Sequence, residues 1–152
     1  MSDVFLMGFD AWREGHGVDD YLKMCRDSRK YAAGSWRVLE TRGALVSSLI
    51  VYDLYKAMVG VGSIATVPDR RWQGFAKALI EHVCRDLEAT GTRAIFLFAE
   101  VDPVIYESCG FKALPKDFQG KHPDGRAWVC MMRSANPQSI LSDPDFRVPA
   151  YF

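Results

Sequence analysis

The stretch from Met58 to Leu87 constrains the fold of this chain more than any other, because three kinds of local structure follow one another in it without a break. Residues Met58 to Val67 are β-branched or small, as a strand prefers, and Pro68 then closes them with a turn. From Phe75 the apolar residues change to helical spacing: Ala76, Leu79, Ile80, Val83 and Leu87 share one side, while Lys77, Glu81, Arg85 and Asp86 take much of the rest. Gly91 stands where a glycine would end that helix. Between strand and helix lies Arg71-Trp72-Gln73-Gly74-Phe75-Ala76. A loop entering a helix N-terminus points unpaired backbone N–H groups at one spot, at the positive end of the helix dipole, and so suits an anion such as a pyrophosphate. Gly74 leaves the backbone there open to close approach. An ordinary strand-turn-helix joint with a packing glycine fits the same residues.

A second segment, Tyr106-Glu107-Ser108-Cys109-Gly110-Phe111, follows one helix and one strand later. Arg71-x-x-Gly74-x-Ala76 after Thr66-Val67-Pro68 resembles the coenzyme A pyrophosphate motif of the GNAT N-acetyltransferase superfamily, and the second segment resembles that superfamily's Y-x-x-x-G-F. Trp72 departs from the pattern, since many members carry glycine directly after the motif's arginine. The likeness is specific over Gly60 to Leu114 and diffuse elsewhere. It implies a single α/β (α+β) domain with a mixed, mostly antiparallel, twisted sheet and helices on both faces. It also implies a central splay between two parallel strands, one ending at Val67 and one near Ala99.

The rest of the chain reads in order around that centre. Val4 to Trp12 mixes apolar and small residues and predicts a first strand. Asp19-Asp20 starts a short helix through Tyr21, Leu22, Met24 and Cys25. Trp36 to Glu40 and Ala44 to Leu54, about the turn Thr41-Arg42-Gly43, predict a hairpin. Ala94 to Phe98 is a continuous apolar run, suited to a strand covered on both faces. Asp102-Pro103 opens a short helix from Val104 to Cys109. Phe111 to Leu114 is a candidate strand, Pro115 to Arg126 is turn-prone, and Ala127 to Met132 predicts a last strand. Gly60 and Gly62 suit a bulge, close ligand approach or close packing of the backbone against a helix. The domain is expected over 1–133, and 134–152 is a tail without periodicity. Its Phe146, Tyr151 and Phe152 are suited to docking on the domain, covering the acceptor cleft or packing on a second subunit.

At 152 residues the chain suffices for one domain. Nineteen basic residues balance nineteen acidic ones, so no net field favours nucleic acid or an anionic membrane. No apolar run approaches the ~18 residues of a membrane span, and the N-terminus lacks a basic leader. The four cysteines, Cys25, Cys84, Cys109 and Cys130, form no C-x-x-C pair and read as reduced thiols in a cytoplasmic protein. His16, His82 and His122 lack ligand spacing, and no metal site is expected. A Cys109–His122 nucleophilic pair has nothing to bring it together.

Acyl transfer needs the donor held, the amine deprotonated, the oxyanion stabilised and the thiolate protonated. The resemblance implies acetyl-CoA as donor substrate. Its pantetheine would lie along the backbone of Ile64, Ala65 and Thr66, and its pyrophosphate on the amides of Arg71, Trp72, Gln73, Gly74, Phe75 and Ala76. Tyr106 matches the tyrosine that protonates the leaving thiolate in many members, a role open to a neutral phenol. Glu100 is the first candidate for the base and Asp53 the second; many members use water chains instead. Trp12, Tyr31 and Trp36 suit either an acceptor pocket or the core. The expected activity is N-acetylation of a primary amine, on a small molecule or peptide, by direct attack. The alternative is a non-catalytic acyl-CoA sensor. No nucleic-acid or membrane partner is expected, and a homodimer is an open option. A P-loop enzyme is disfavoured because no Lys-Ser/Thr pair follows the loop.

Overall fold

The computed structural model describes residues 1–119, 128–150 and 152; His122, Tyr151 and the start of the strand expected from Ala127 lie outside them. Six strands form one sheet: β1 (Ser35–Thr41), β2 (Ala44–Asp53), β3 (Met58–Thr66), β4 (Ala94–Ala99), β5 (Lys112–Ala113) and β6 (Val129–Arg133), in the spatial order β1-β2-β3-β4-β6-β5. All neighbours run antiparallel except β3 and β4, which are parallel. The helices are α1 (Ser2–Leu6), α2 (Phe9–Trp12), α3 (Val18–Asp27), α4 (Arg29–Ala33), α5 (Phe75–Ala89), α6 (Val104–Glu107) and α7 (Pro137–Leu141). The expected mixed sheet, mostly antiparallel with one parallel pair, is therefore the fold.

β4 shows why its sequence reads as an unbroken apolar run. Ile95, Leu97 and Ala99 join Leu79, Ile80, Val83 and Cys84 of α5 in one buried cluster, with Val59, Val61 and Phe111. Ala94 and Phe96, on the other face, join Cys130, Met132, Ile140 and Phe146 in a second cluster. Strand residues alternate between faces, so a strand covered on both sides needs apolar residues at every position. All four cysteines are buried and free, three of them (Cys84, Cys109 and Cys130) within these clusters. Burial pushes the thiols of Cys84 and Cys130 up to about 12 and raises those of Cys25 and Cys109 as well.

The hairpin of β1 and β2 forms as expected, with Thr41 opposite Ala44. Arg42 and Gly43 take φ of 51° and 76°, the mirror-image turn that follows the twist of paired strands. The first segment overturns the reading of Val4 to Trp12 as a strand, since α1 and α2 occupy it. Phe5, Phe9 and Trp12 fall at i, i+4 and i+7, a helical stripe within a segment whose apolar density suggested a strand. They pack in a third cluster with Tyr21 and Cys25 of α3. Phe9 meets the Tyr21 ring edge-on at 5.2 Å, and the Tyr21 hydroxyl donates to the Phe5 carbonyl at 3.2 Å.

Candidate active site

β3 and β4 pair at three positions only: Met58 with Ala94, Val59 with Ile95, and Gly60 with Phe96. Beyond them β4 continues against β6, while Val61 to Thr66 stay paired with β2 alone. Each strand so turns an unpaired edge toward the gap between them. β3 is also irregular here. Ser48 of β2 aligns with Ala65 and Ile50 with Gly62, so Ser63 and Ile64 together face Leu49. That is a β-bulge, with Ser63 in the left-handed region at φ 49°. Ser47 braces the strand just past it, donating from its hydroxyl to the Ala65 carbonyl at 2.8 Å and lying 3.0 Å from the Thr66 hydroxyl.

The gap opens into a cleft of about 530 Å³. Ile64, Ala65, Thr66 and Arg71 line it from the β3 side, Glu100 and Tyr106 from the β4 side, and Trp12, Lys30 and Tyr31 from the N-terminal helices. Phe98 and Phe152 form a further wall. The Phe152 ring lies 5.3 Å from Phe98 and 5.2 Å from Tyr52. It occupies the space left by Gly60, where a Cβ would meet the ring at 2.3 Å. The glycines of β3 thus serve two ends: a bulge follows Gly62, and at Gly60 an aromatic ring, rather than a helix, takes the room.

Tyr106 sits on α6, and its half-buried side chain packs on the core beneath α5. Asp102 caps that helix by accepting from Val104 N at 3.0 Å. Burial raises the Tyr106 phenol above its ordinary value, and the charge of Glu100 adds to the rise. It is therefore a neutral O–H donor at pH 7. Lys30 is lowered by burial, an effect that Glu100 opposes.

At the outer end of the cleft, α5 begins with Gly74 at φ 84° and no side-chain cap. A Cβ on Gly74 would meet nothing within 4 Å, so the backbone is open on that side. The first turn of α5 contains no acidic residue, whereas α3 has Asp19 and Asp20 there. Uncapped N–H groups, an unopposed dipole and open space fit the pyrophosphate of a coenzyme A. Trp72, Gln73 and Gly74 are exposed at this end, Phe75 and Ala76 half-buried, and none of the five lines the cleft.

Arg71 behaves differently from its loop neighbours. Its guanidinium donates to both carboxylate oxygens of Asp10, at 2.6 and 2.7 Å, to the Thr66 carbonyl at 3.0 Å and to the Met7 carbonyl at 3.2 Å. It ties α2 to the end of β3 and forms the corner between cleft and loop, its guanidinium committed to these three partners. Asp53 is not brought to the cleft: it aligns with Val59, at the opposite end of β3 from Thr66. Trp36 also stays outside, packed on Phe5 and Tyr31. Lys30, Ser63 and Phe98 were not foreseen as cleft residues. None of the three carried a signal in the sequence: Phe98 is one member of a uniform apolar run, and its half-buried place at the cleft is seen only in the structure. Among the described residues no cluster of His, Cys, Asp or Glu is arranged to hold a metal ion, and no helix is long and apolar enough to cross a membrane.

Residues 9–114 match the family model described as an acetyltransferase (GNAT) domain. Among solved structures the fold resembles the ribosomal-protein-S18-alanine N-acetyltransferase from Escherichia coli, at 20% identity over 86% of this chain and 84% of that one, with a TM-score of 0.61. An acetyltransferase from Bacillus subtilis in complex with CoA aligns at 15% identity over 88% and 92%, with a TM-score of 0.61. A GNAT family acetyltransferase from Brucella melitensis in complex with acetyl-CoA aligns at 18% identity over 85% and 77%, with a TM-score of 0.57. At these identities the likeness is one of fold. No curated protein matches the chain.

Proposed function

The chain belongs to the GNAT acetyltransferase family, and on that premise we propose that it moves an acetyl group from acetyl-CoA to a primary amine by direct attack. The observation that carries the reading is the parting of β3 from β4 beyond Gly60, which opens a cleft that reaches Arg71, three residues before the uncapped N-cap Gly74 of α5. Acetyl-CoA supplies the thioester whose acetyl group is transferred and whose thiol leaves.

The chain's own residues divide the work. The free edge of β3 at Ile64, Ala65 and Thr66 holds an extended arm by backbone hydrogen bonds, as an added strand would be held. The amides from Trp72 to Ala76 hold the pyrophosphate, and Arg71 fixes the corner between the two. The bulge at Ser63 and Ile64 turns backbone N–H toward the developing oxyanion, the group whose stabilisation weighs most in acyl transfer. Glu100, directly or through water, takes the proton that the amine gives up as the N–C bond forms. Tyr106 gives its proton to sulfur as the C–S bond breaks, and solvent returns both residues to their starting states. Phe98, Phe152, Tyr31 and Trp12 bound the acceptor side. Residues 134–150 and Phe152 act as part of the same domain, a reading supported by Phe146 stacked on Phe96 at 6.0 Å.

Thermal unfolding with and without acetyl-CoA tests this, with ATP as the control and Gly74→Glu as the loop variant. Ligand at a hundred times its Kd adds about 2.7 kcal/mol, a rise of roughly 5–10 °C for a domain of this size. The rise should be absent with ATP and lost in Gly74→Glu, and a panel of primary amines should then release free thiol. No shift at millimolar acetyl-CoA refutes the reading. A shift without thiol release for any amine makes the chain an acyl-CoA-binding module instead.

A further inference from the structure

Trp72 is 94% exposed, the most exposed of the large apolar side chains among the described residues. It is also held at φ 63°, a conformation that costs a bulky L-residue energy and that glycine would adopt freely. Folding recovers neither cost, because the side chain is almost wholly in water. A residue that is both strained and unburied in the free protein has its use in a complex.

Its position limits the partner. Arg71, one residue before, lines the cleft, and Trp72 does not. The indole therefore lies outside the cleft, in solvent. Two residues later Gly74 opens α5, so the Cα of Trp72 lies within about 7 Å of the amide cradle. Its surroundings are polar: Asp69, Arg70 and Gln73 are exposed, and Lys77 follows in the first turn of α5. An apolar protein interface would extend the hydrophobic surface around the indole. A flat heteroaromatic ring attached to phosphates would instead use one aromatic face together with nearby cations.

We propose that the Trp72 indole stacks on the adenine of the coenzyme, with Arg70 and Lys77 placed for the phosphate on the adenosine ribose. The inference rests on the acetyl-CoA reading above and adds a side-chain site to it. Where many relatives of the motif carry glycine, this chain exchanges an unstrained loop for a base-stacking surface. The pantetheine arm, in the cleft on the other side of Arg71, does not touch the indole.

The test titrates the full chain with coenzyme A and, separately, with 4′-phosphopantetheine, which lacks the adenosine. Wild type, Trp72→Gly and Trp72→Phe are compared by calorimetry, and acrylamide quenching of tryptophan emission is followed in the wild type and in Trp72→Phe, so that the difference reports Trp72. Coenzyme A should shield the emission of the wild type more than that of Trp72→Phe, whereas 4′-phosphopantetheine, which reaches only Trp12 in the cleft, should act alike on both. Trp72→Gly should weaken coenzyme A about tenfold while leaving 4′-phosphopantetheine unchanged, and Trp72→Phe should retain most of the affinity. The ligand-free Trp72→Gly protein should melt no lower than wild type, which separates lost stacking from lost folding. Equal coenzyme A affinity in wild type and Trp72→Gly overturns the proposal, as does an equal loss for both ligands, which would report on the loop backbone. A wild type that binds neither ligand overturns the acetyl-CoA reading itself, and this inference with it.

Discussion

Replacing Gly60 with alanine should change sign with the identity of residue 152. In the native protein the new Cβ would lie 2.3, 2.5 and 2.6 Å from three atoms of the Phe152 ring, far inside contact distance. The conflict is with the end of a side chain, so the ring would leave rather than the sheet yield. Full burial of a phenylalanine is worth about 1.5–3 kcal/mol, and Phe152 is only half-buried. Its neighbours Tyr52 and Phe98, at 5.2 and 5.3 Å, add aromatic contacts. Eviction should thus cost roughly 2 kcal/mol. Against this, alanine in a strand is favoured over glycine by about 0.5–1 kcal/mol. Gly60→Ala should therefore destabilise the native chain by roughly 1–1.5 kcal/mol and stabilise Phe152→Ala by about 0.5–1 kcal/mol. Equilibrium urea unfolding of the two single variants and the double variant gives the coupling, about 2 kcal/mol, provided the m-values agree. A shift of the same sign and size in both backgrounds would refute the seating of Phe152 on Gly60.

Two adjacent serines should respond in opposite directions. Ser47→Ala loses the bond to the Ala65 carbonyl and should cost about 1 kcal/mol. Ser48→Ala removes a buried hydroxyl with no partner among the described residues and should gain up to about 1 kcal/mol in the same unfolding assay. Arg71→Lys keeps the charge but not the planar fork that reaches Asp10, Thr66 and Met7 together. A loss of about 1–2 kcal/mol is expected, mostly from the two backbone carbonyls, because solvent screens the half-exposed Asp10 pair. Tyr106→Phe should lower kcat at least tenfold while leaving the affinity for acetyl-CoA near wild type. Because the phenol is raised from 10.0, the wild-type kcat–pH profile should show no descending limb below that pH that the variant lacks. Burial also raises Tyr31 from 10.0 to about 12. The unfolded chain then loses its tyrosine protons first, so the stability linked to Tyr31 is intact below pH 10.0 and falls away toward pH 12, as unfolding at graded alkaline pH would report.

How much of this could be read beforehand depended on whether the signal was local. α5 and its loop were legible because amphipathic spacing and Gly74 lie within a few residues of each other. β4 was legible because two covered faces leave no polar position. α1 and α2 were misread because so short a segment supports two periods, and packing of Phe5, Phe9 and Trp12 on α3 decides for the helix. The cleft was half-legible. Both motifs fell on it or at its mouth, yet its corner depends on Asp10 meeting Arg71, and its far wall on Phe152 meeting Gly60. Such contacts join positions distant along the chain and leave no local pattern. Asp53 stood as the second candidate behind Glu100 because a strand's sequence does not reveal which of its ends faces the gap.

The burial of all four cysteines has a further consequence for a protein that handles a thioester. A thiolate exposed beside the reacting carbonyl would take the acetyl group for itself, and the product would be an acylated protein rather than an acylated amine. Cys109 lies three residues from Tyr106, close enough in sequence for that side reaction to matter. It is 2% exposed, with its thiol raised by burial and turned toward the Ile105 carbonyl at 3.8 Å. A sulfur held in its protonated form and out of reach is a poor nucleophile. The core therefore withholds the chain's cysteines from the acetyl group.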